Sequence, residues 1–296
     1  MRIGARPGGR SEAIARKDGL AVRSPESLAD SCDLVAVLTP DETHGTLLES
    51  LVSGKRMKSV VVAHGYSIRF SDPVLKDDWD VLLVAPSGPG TALRREGRPG
   101  RIPALIAVHQ DCSGRGLEKA RAYAVAAGCS EHALLETTVA EEVEVDLFGE
   151  QAVLCGGVTA LVTAAWETLV ARGYDPAVAY LECVHQVGLT SEMITRHGVA
   201  GMRERISRTA LFGDLTRGPR LIGPKVRTEM AEILDEIRSG RFAKEWSEEV
   251  AAGHPLCRDG LERTRSHPLE KAGTTVRSLS EGAAPESEKG DPANSA

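Results

Sequence analysis

The sequence predicts a doubly wound α/β domain followed by an all-helical domain, and three observations predict it. Residues 1–137 alternate short apolar runs with helical patterns, as repeated βα units do. The apolar runs, LVAVL and SVVVA among them, are continuous, which suits strands buried on both faces of a parallel sheet. From about Thr138 the strand signal fades, and 151–171 is a long, nearly all-apolar helical stretch.

Taken in order, the expected strands are 20–22, 34–38, 59–63, 81–85, 104–108 and 133–136. Ser24-Pro25 ahead of ESLADS is an N-cap followed by proline at the first helical position. The stretch 151–171 is apolar on all sides and is expected at the centre of the second domain. Amphipathic helices are expected at 176–196 and 224–239, the second stopping at Gly240. The chain closes on SLSEGAAPESEKGDPANSA, a polar composition that predicts a disordered tail. The expected boundaries are therefore 1–137, 138–273 and 274–296.

The 296 residues suffice for two cores. A net charge of −6 with no basic block argues against nucleic acid and anionic membrane as partners. No uninterrupted apolar run reaches membrane-spanning length, and the basic start MRIGARPGGR leads into no apolar region, so it is not a secretory signal. The six cysteines form no C-x-x-C pair and no zinc spacing. They read as free thiols of a reducing cytoplasm.

The chemistry-bearing stretch is 141–156, EEVEVDLFGEQAVLCG. Asp146 and Glu150 are four apart, which on a helix stacks two carboxylates on one face. A solvated acidic helix start explains such a pair, and so does a divalent cation. The apolar flanks (Leu147, Phe148, Ala152, Val153, Leu154) favour the cation, because carboxylates on an apolar segment need a partner. Mg²⁺ takes hard oxygen ligands of this kind. Glu182 and Gln186 repeat the spacing on AVAYLECVHQ, where a surface carboxylate is the plain alternative. His64 follows the apolar strand SVVVA, at the carboxyl end where open α/β sheets place ligands; a structural histidine is the other reading. Ser207 in RISRTA is either a helix-end serine or a ligand contact.

The string DLFGEQAVLCGGVTALV closely resembles the metal-binding segment of ketol-acid reductoisomerases. LTPDETH (38–44), VVAHGYSIRF (61–70), VLLVAPSGPGTALRREG (81–97), GYDPAVAYLECVHQ (173–186) and ISRTALFGD (206–214) resemble the same family, and the likeness runs to about Gly273. It implies a Rossmann-like NADP-binding domain and a knotted helical domain of the short, class I form. It further implies two Mg²⁺ ions, with Asp146 bridging both and Glu150 on one. Glu182 and Gln186 would approach from a partner subunit in a homodimer. His64 would sit by the nicotinamide as part of the proton-handling network, and Ser207 would hold the substrate carboxylate or hydroxyl. The implied substrate is a small 2-hydroxy-3-oxo acid such as 2-acetolactate, rearranged and reduced by NADPH in branched-chain amino-acid synthesis. His109, His185 and His197 match no site of the family.

Three departures accompany the resemblance. Gln186 stands where the family has Glu, and Ser87 where it has Lys. An amide carries no charge for a second metal, and a hydroxyl is no substitute for an ammonium. The third is the front end. MRIGARPGGRS resembles the family's second strand and the loop that meets the adenosine 2′-phosphate, with Arg6, Arg10 and Ser11 at its polar positions. No G-x-G-x-x-G unit precedes it. In the 3-2-1-4-5-6 order the first strand is central, so ladder hydrogen bonds are expected to go unpaired on both sides of the gap. Either the protein begins further upstream, or the cofactor site is repacked. Three functions stay open: the reductoisomerase, a reductase-only relative, and a non-catalytic dimeric homologue.

Overall fold

In the computed structural model the described residues are 1–88, Gly90 and 102–281. The chain forms two compact units, Met1–Leu147 and Phe148–Ala296.

The first unit carries two sheets. β1 (Ile3–Gly4) and β2 (Val22–Arg23) form a parallel pair on their own, with helix α1 (Arg10–Lys17) between them in sequence. The larger sheet has the order β3 (Leu34–Val37), β4 (Ser59–Val62), β5 (Asp80–Pro86), β6 (Ile102–Gln110) and β7 (Cys129–Glu136). Among the described strands β3 pairs only with β4, so the sheet stops there instead of continuing into β1 and β2. The continuous apolar runs do what was expected of them. Val60, Val61, Val62, Val81, Leu82 and Leu83 are fully buried. Helix α5 (Gly116–Ala126) packs Ala120 and Ala124 against this core. Gly116 is needed for the approach, since a Cβ there would lie 2.8 Å from the Val108 side chain.

The sheet is not all-parallel. β5 and β6 run antiparallel, with a bulge near Val81–Leu82. A strand apolar on both faces reads the same in either direction, so the run ALIAV gave no warning of it.

At the amino ends of β4 and β5, Asp80 is buried at 1 % exposure. It accepts from the Ser113 amide and hydroxyl, both at 2.8 Å, and from Lys119.

The second unit is helical. A π turn (Glu150–Leu154) leads into α7 (Gly156–Val170). The short α8 (Pro176–Tyr180) is capped by Asp175, whose carboxylate accepts from the Ala177 and Val178 amides. A second π turn (Leu181–His185) opens α9 (Gln186–Arg203), which is broken at Gly198. Then follow α10 (Arg208–Leu221), α11 (Pro224–Arg238), α12 (Arg241–Ala251), α13 (Pro255–Ser266) and α14 (Pro268–Glu281). The core joins Trp166, Ala179, Tyr180, Leu269, Ala272 and Val276.

Two expectations are corrected here. The tail does not begin at 274: α14 continues to Glu281. Leu269, Ala272 and Val276 recur at helical spacing and bury against Trp166 and Tyr180; residues 282–296 lie outside the described part. The second concerns apolar length. The helical stretch Val139–Val170 has 32 residues and is long and apolar enough to cross a membrane, with little of its most apolar part buried. The part expected at the centre of the second domain, 151–171, instead exposes Val153, Leu154 and Leu161, and only Trp166 is buried on α7.

Candidate functional site

The site grows from the carboxyl ends of β3 and β4. His64 and Gly65 follow β4 one residue beyond its end and lead into the short helix α4 (Tyr66–Phe70). Facing them is α6 (Val139–Gly149), whose Val139, Glu142, Val143 and Leu147 form one buried stripe. Gly65 permits the contact, because a Cβ there would lie 2.7 Å from Val139 and 2.9 Å from Val143.

On that apolar stripe Glu142 is only 2 % exposed, and a buried carboxylate needs partners. It has two: His64 Nδ1 lies 2.9 Å from Oε1, and the Gly65 amide donates to Oε2 at 3.0 Å. Asp146, one turn further on, brings Oδ2 to 3.6 Å from the same imidazole nitrogen. Ligand atoms of His64, Glu142 and Asp146 all lie within 4.8 Å of one another, a grouping able to hold a metal ion.

The electrostatics follow from this crowding. Burial works to lower the His64 pKa, but the hydrogen bond and charge of Glu142, with Asp41 and Asp146, outweigh it and raise it. Burial pushes the Asp146 carboxyl up, the His64 charge opposes this, and Glu142 and Asp41 add to it. Asp41 is likewise raised, first by burial, with the charges of His64 and His44 opposing. A raised carboxyl pKa marks a site where bare negative charge is costly and a cation is welcome.

Asp41 lies in the 3₁₀ turn Asp41–Thr43 after β3. Its loop is tied down by His44, which is buried at 2 % exposure. His44 Nε2 lies 2.8 Å from the Thr39 carbonyl and Nδ1 lies 2.9 Å from Ser67 Oγ. A carbonyl only accepts, so Nε2 carries the proton and Nδ1 accepts from the Ser67 hydroxyl.

Of the residues singled out from the sequence, His64 and Asp146 meet in this cluster. Glu142 and Asp41 were missed. Glu142 had a signal: it sits four residues before Asp146 and on the apolar stripe, where a carboxylate is out of place. Glu150, Glu182, Gln186 and Ser207 belong to the second unit. Asp146 and Glu150 do not share a plain α-helical face, since the helix turns π at Glu150. The glycines explain why it can. A Cβ at Gly156 would lie 2.1 Å from the Gln151 carbonyl oxygen, and one at Gly157 2.2 Å from that of Ala152. Glu182 lies on the other π turn, and the Gln186 amide donates to its Oε2 at 2.7 Å. π turns recur at functional positions in helices. Ser207 caps α10, its hydroxyl accepting from the Ala210 amide at 3.2 Å. Ser87 follows β5, its amide donating to the Pro103 carbonyl at 2.8 Å.

Arg6, Arg10 and Ser11 are exposed around the turn after β1. The Gly9 amide closes that turn on the Arg6 carbonyl, and the Gly8 amide donates to Glu12 at 2.6 Å. All six cysteines are unpaired, as expected.

Two family models match the chain. That described as acetohydroxy acid isomeroreductase, NADPH-binding domain, matches residues 1–133, and that described as ketol-acid reductoisomerase, C-terminal domain, matches residues 139–281. Among solved structures, an NADH-preferring ketol-acid reductoisomerase from an uncultured archean is 36% identical, with 94% of this chain and 85% of that chain covered and a TM-score of 0.87. A putative oxidoreductase from Jannaschia sp. CCS1 is 13% identical, with 79% of this chain and 86% of that chain covered and a TM-score of 0.57. A semialdehyde dehydrogenase NAD-binding protein from Cupriavidus necator is 17% identical, with 79% and 87% covered and a TM-score of 0.57. The last two share the fold alone.

Proposed function

The chain belongs to the ketol-acid reductoisomerase family, and from that membership we propose that it rearranges and reduces a 2-acetolactate-type acid with Mg²⁺ and NADPH. It is an NAD(P)-dependent enzyme of the oxidoreductase and isomerase type. The observation that carries the finer reading is the meeting of His64 and Asp146 on the buried Glu142.

The donor set suits the metal. Glu142 and Asp146 offer hard carboxylate oxygens, the choice of Mg²⁺, and the raised Asp146 carboxyl is relieved by a cation. Asp146 and Glu150 would hold the ion, and Glu182 and Gln186 would approach from a partner subunit, as the family resemblance implies. Arg6, Arg10 and Ser11 would take the adenosine phosphate of the cofactor, guanidinium groups pairing with phosphate in a bidentate way. When bound, Mg²⁺ supplies electrophilic polarisation of the substrate oxygens and NADPH supplies the hydride.

The protein's own part is proton handling and placement. With Nδ1–H turned to Glu142, the neutral His64 presents Nε2 as an acceptor for the substrate hydroxyl proton. Glu142 then stabilises the imidazolium, and its second oxygen on the Gly65 amide keeps the ring from swinging. Ser207 is the proposed contact for the substrate carboxylate or hydroxyl. The residues 1–137 would form the cofactor domain, and the knotted helical domain would start at 138. A homodimer in the cytoplasm accounts for the exposed apolar side chains of the second unit, Leu161, Leu189, Phe212 and Leu215 among them, which need a partner surface; we read them as a subunit interface, not a membrane face.

Ser87 and Gln186 favour a second reading, a reductase with weakened isomerase activity. Migration of the alkyl group needs strong stabilisation of an alkoxide, and both positions lack the family's charge. Losing one such preorganised partner costs roughly 10²–10³ in rate. Steady-state assays with Mg²⁺ and NADPH separate the readings. The second predicts slow turnover of 2-acetolactate and faster turnover of 3-hydroxy-3-methyl-2-oxobutyrate, the rearranged acid. It also predicts that Ser87→Lys with Gln186→Glu raises the first rate more than the second. Comparable wild-type rates on both acids return the protein to the ordinary reductoisomerase, and no turnover of either overturns both readings.

A further inference from the structure

The turn after β1 holds a negative charge among positive ones. Arg6, Arg10 and Ser11 are exposed there, and Glu12, in the first turn of α1, folds back across it. Its Oε2 accepts from the Gly8 amide at 2.6 Å, and its Oε1 accepts from Arg16 Nε at 3.0 Å and Nη2 at 2.7 Å. The turn that offers this amide needs Gly8, whose φ of 74° is left-handed. Arg16 first, and the Gly8 amide second, hold the Glu12 carboxyl below its ordinary value, so the carboxylate is charged at neutral pH. It is not sealed, since 19 % of the side chain is exposed. A carboxylate oxygen can accept more than once, and Oε2 uses only one place on Gly8.

Dinucleotide-binding domains tell their two cofactors apart at the ribose. A carboxylate accepts from the 2′-hydroxyl of NADH, and guanidinium groups pair with the 2′-phosphate of NADPH. This turn carries both kinds of group. Arg6 and Arg10 suit the phosphate, whereas Glu12 can accept from a hydroxyl and repels a dianion. No acid stands at the end of β1, where Ala5 and Arg6 follow, so Glu12 is the one acid of the turn. We propose that Glu12 is a specificity-determining residue of the cofactor site, accepting from the 2′-hydroxyl of NADH and opposing the 2′-phosphate of NADPH, so that the protein takes both cofactors. The inference rests on the reading of Arg6, Arg10 and Ser11 as the adenosine phosphate site. Arg16 sets the strength of the effect, because its guanidinium offsets the charge that Glu12 shows to an incoming phosphate.

The test titrates adenosine 2′,5′-bisphosphate and AMP into the full chain by NMR and compares their dissociation constants. Wild-type protein is expected to bind both. Glu12→Gln keeps an oxygen for the Gly8 amide but removes the charge, and is expected to raise the preference for the bisphosphate about fivefold, the scale of one solvated charge pair. Arg16→Gln leaves the Glu12 charge uncovered and is expected to lower that preference by a similar factor. The opposite signs are diagnostic. A purely structural role moves both variants the same way, since each breaks the same ion pair. An unchanged preference in Glu12→Gln overturns the proposal, as do shifts of one sign in both variants or a wild-type protein that binds the bisphosphate alone. A wild-type protein that does not bind the bisphosphate overturns the reading of the turn as a cofactor site, and this inference with it. The two failures are told apart by wild-type binding, which stays intact when only the role of Glu12 is wrong.

Discussion

His64 and Glu142 meet across 78 positions of sequence, with the imidazole Nδ1 2.9 Å from one carboxylate oxygen while the other oxygen takes the Gly65 amide. One buried acid therefore fixes both the orientation and the charge preference of the histidine. The consequence is measurable. His64 titrates above its ordinary 6.5 because Glu142, Asp41 and Asp146 outweigh its burial. A histidine raised in the folded state adds stability that is complete below the unfolded value and is lost as pH rises through the folded one. Glu142→Gln is expected to bring the His64 value down, read by NMR. It should also remove that pH-dependent part of the unfolding free energy. A His64 titration unmoved by the substitution would mean that the pair carries no charge coupling.

Asp146 answers for the metal. Asp146→Asn is expected to abolish the rise in melting temperature caused by Mg²⁺, since a ligand of the folded state alone stabilises by RT ln(1 + [L]/Kd). Glu141→Gln serves as the control. Glu141 is exposed and accepts from the Thr137 hydroxyl at 2.6 Å, away from the cluster. The raised Asp146 carboxyl also predicts that Mg²⁺ stabilisation fades on acidification earlier than for an ordinary aspartate. Equal loss in both variants would point to a diffuse acidic surface.

Asp80 and Lys119 set the acid limit of the first unit. Burial alone would raise the Asp80 carboxyl, but Lys119 and the two Ser113 bonds hold it at about 2. An aspartate lowered in the folded state gives stability that is present above its unfolded value of 3.8 and is lost as pH falls through about 2. Asp80→Ala is expected to cost about 2–3 kcal/mol near neutrality, with Lys119 partly relieved by solvent. Urea unfolding of both proteins should show the difference shrinking on acidification; a constant difference would assign the loss to packing.

His44 separates two links with two substitutions. Asn places its polar atoms near the Nδ1 position and Gln near Nε2, so His44→Asn is expected to keep the Ser67 bond and His44→Gln the Thr39 bond. His44→Leu loses both and should cost about 1–3 kcal/mol by leaving a buried hydroxyl and carbonyl unpaired. Thermal melts check this: His44→Asn and His44→Gln are each expected to fall between the wild-type protein and His44→Leu, and a variant no more stable than His44→Leu would show that its retained bond contributes nothing.

What the sequence determined by itself is what is encoded within a few neighbouring residues. The buried strands at Val60–Val62 and Val81–Leu83 were legible as continuous apolar runs. The helix start at Ser24-Pro25, and the acids of the 141–156 stretch, were legible in the same way. The family was legible too, because DLFGEQAVLCGG and its companion strings match over long co-linear segments. Only the tertiary structure decided the rest, because it turns on approach between distant segments. The direction of β6 is invisible in a run apolar on both faces. The helical end of the chain at Glu281 depends on Trp166 and Tyr180 receiving Leu269, Ala272 and Val276. The π turn at Glu150 depends on carbonyl oxygens passing where Gly156 and Gly157 lack a Cβ. At the site, Asp41 carries no local mark that distinguishes it from a loop acid, and the one mark of Glu142, its place four residues before Asp146 on an apolar stripe, does not name its partner. They become functional only because β3, β4 and α6 bring them to one imidazole, where desolvation turns ordinary side chains into groups that must have partners.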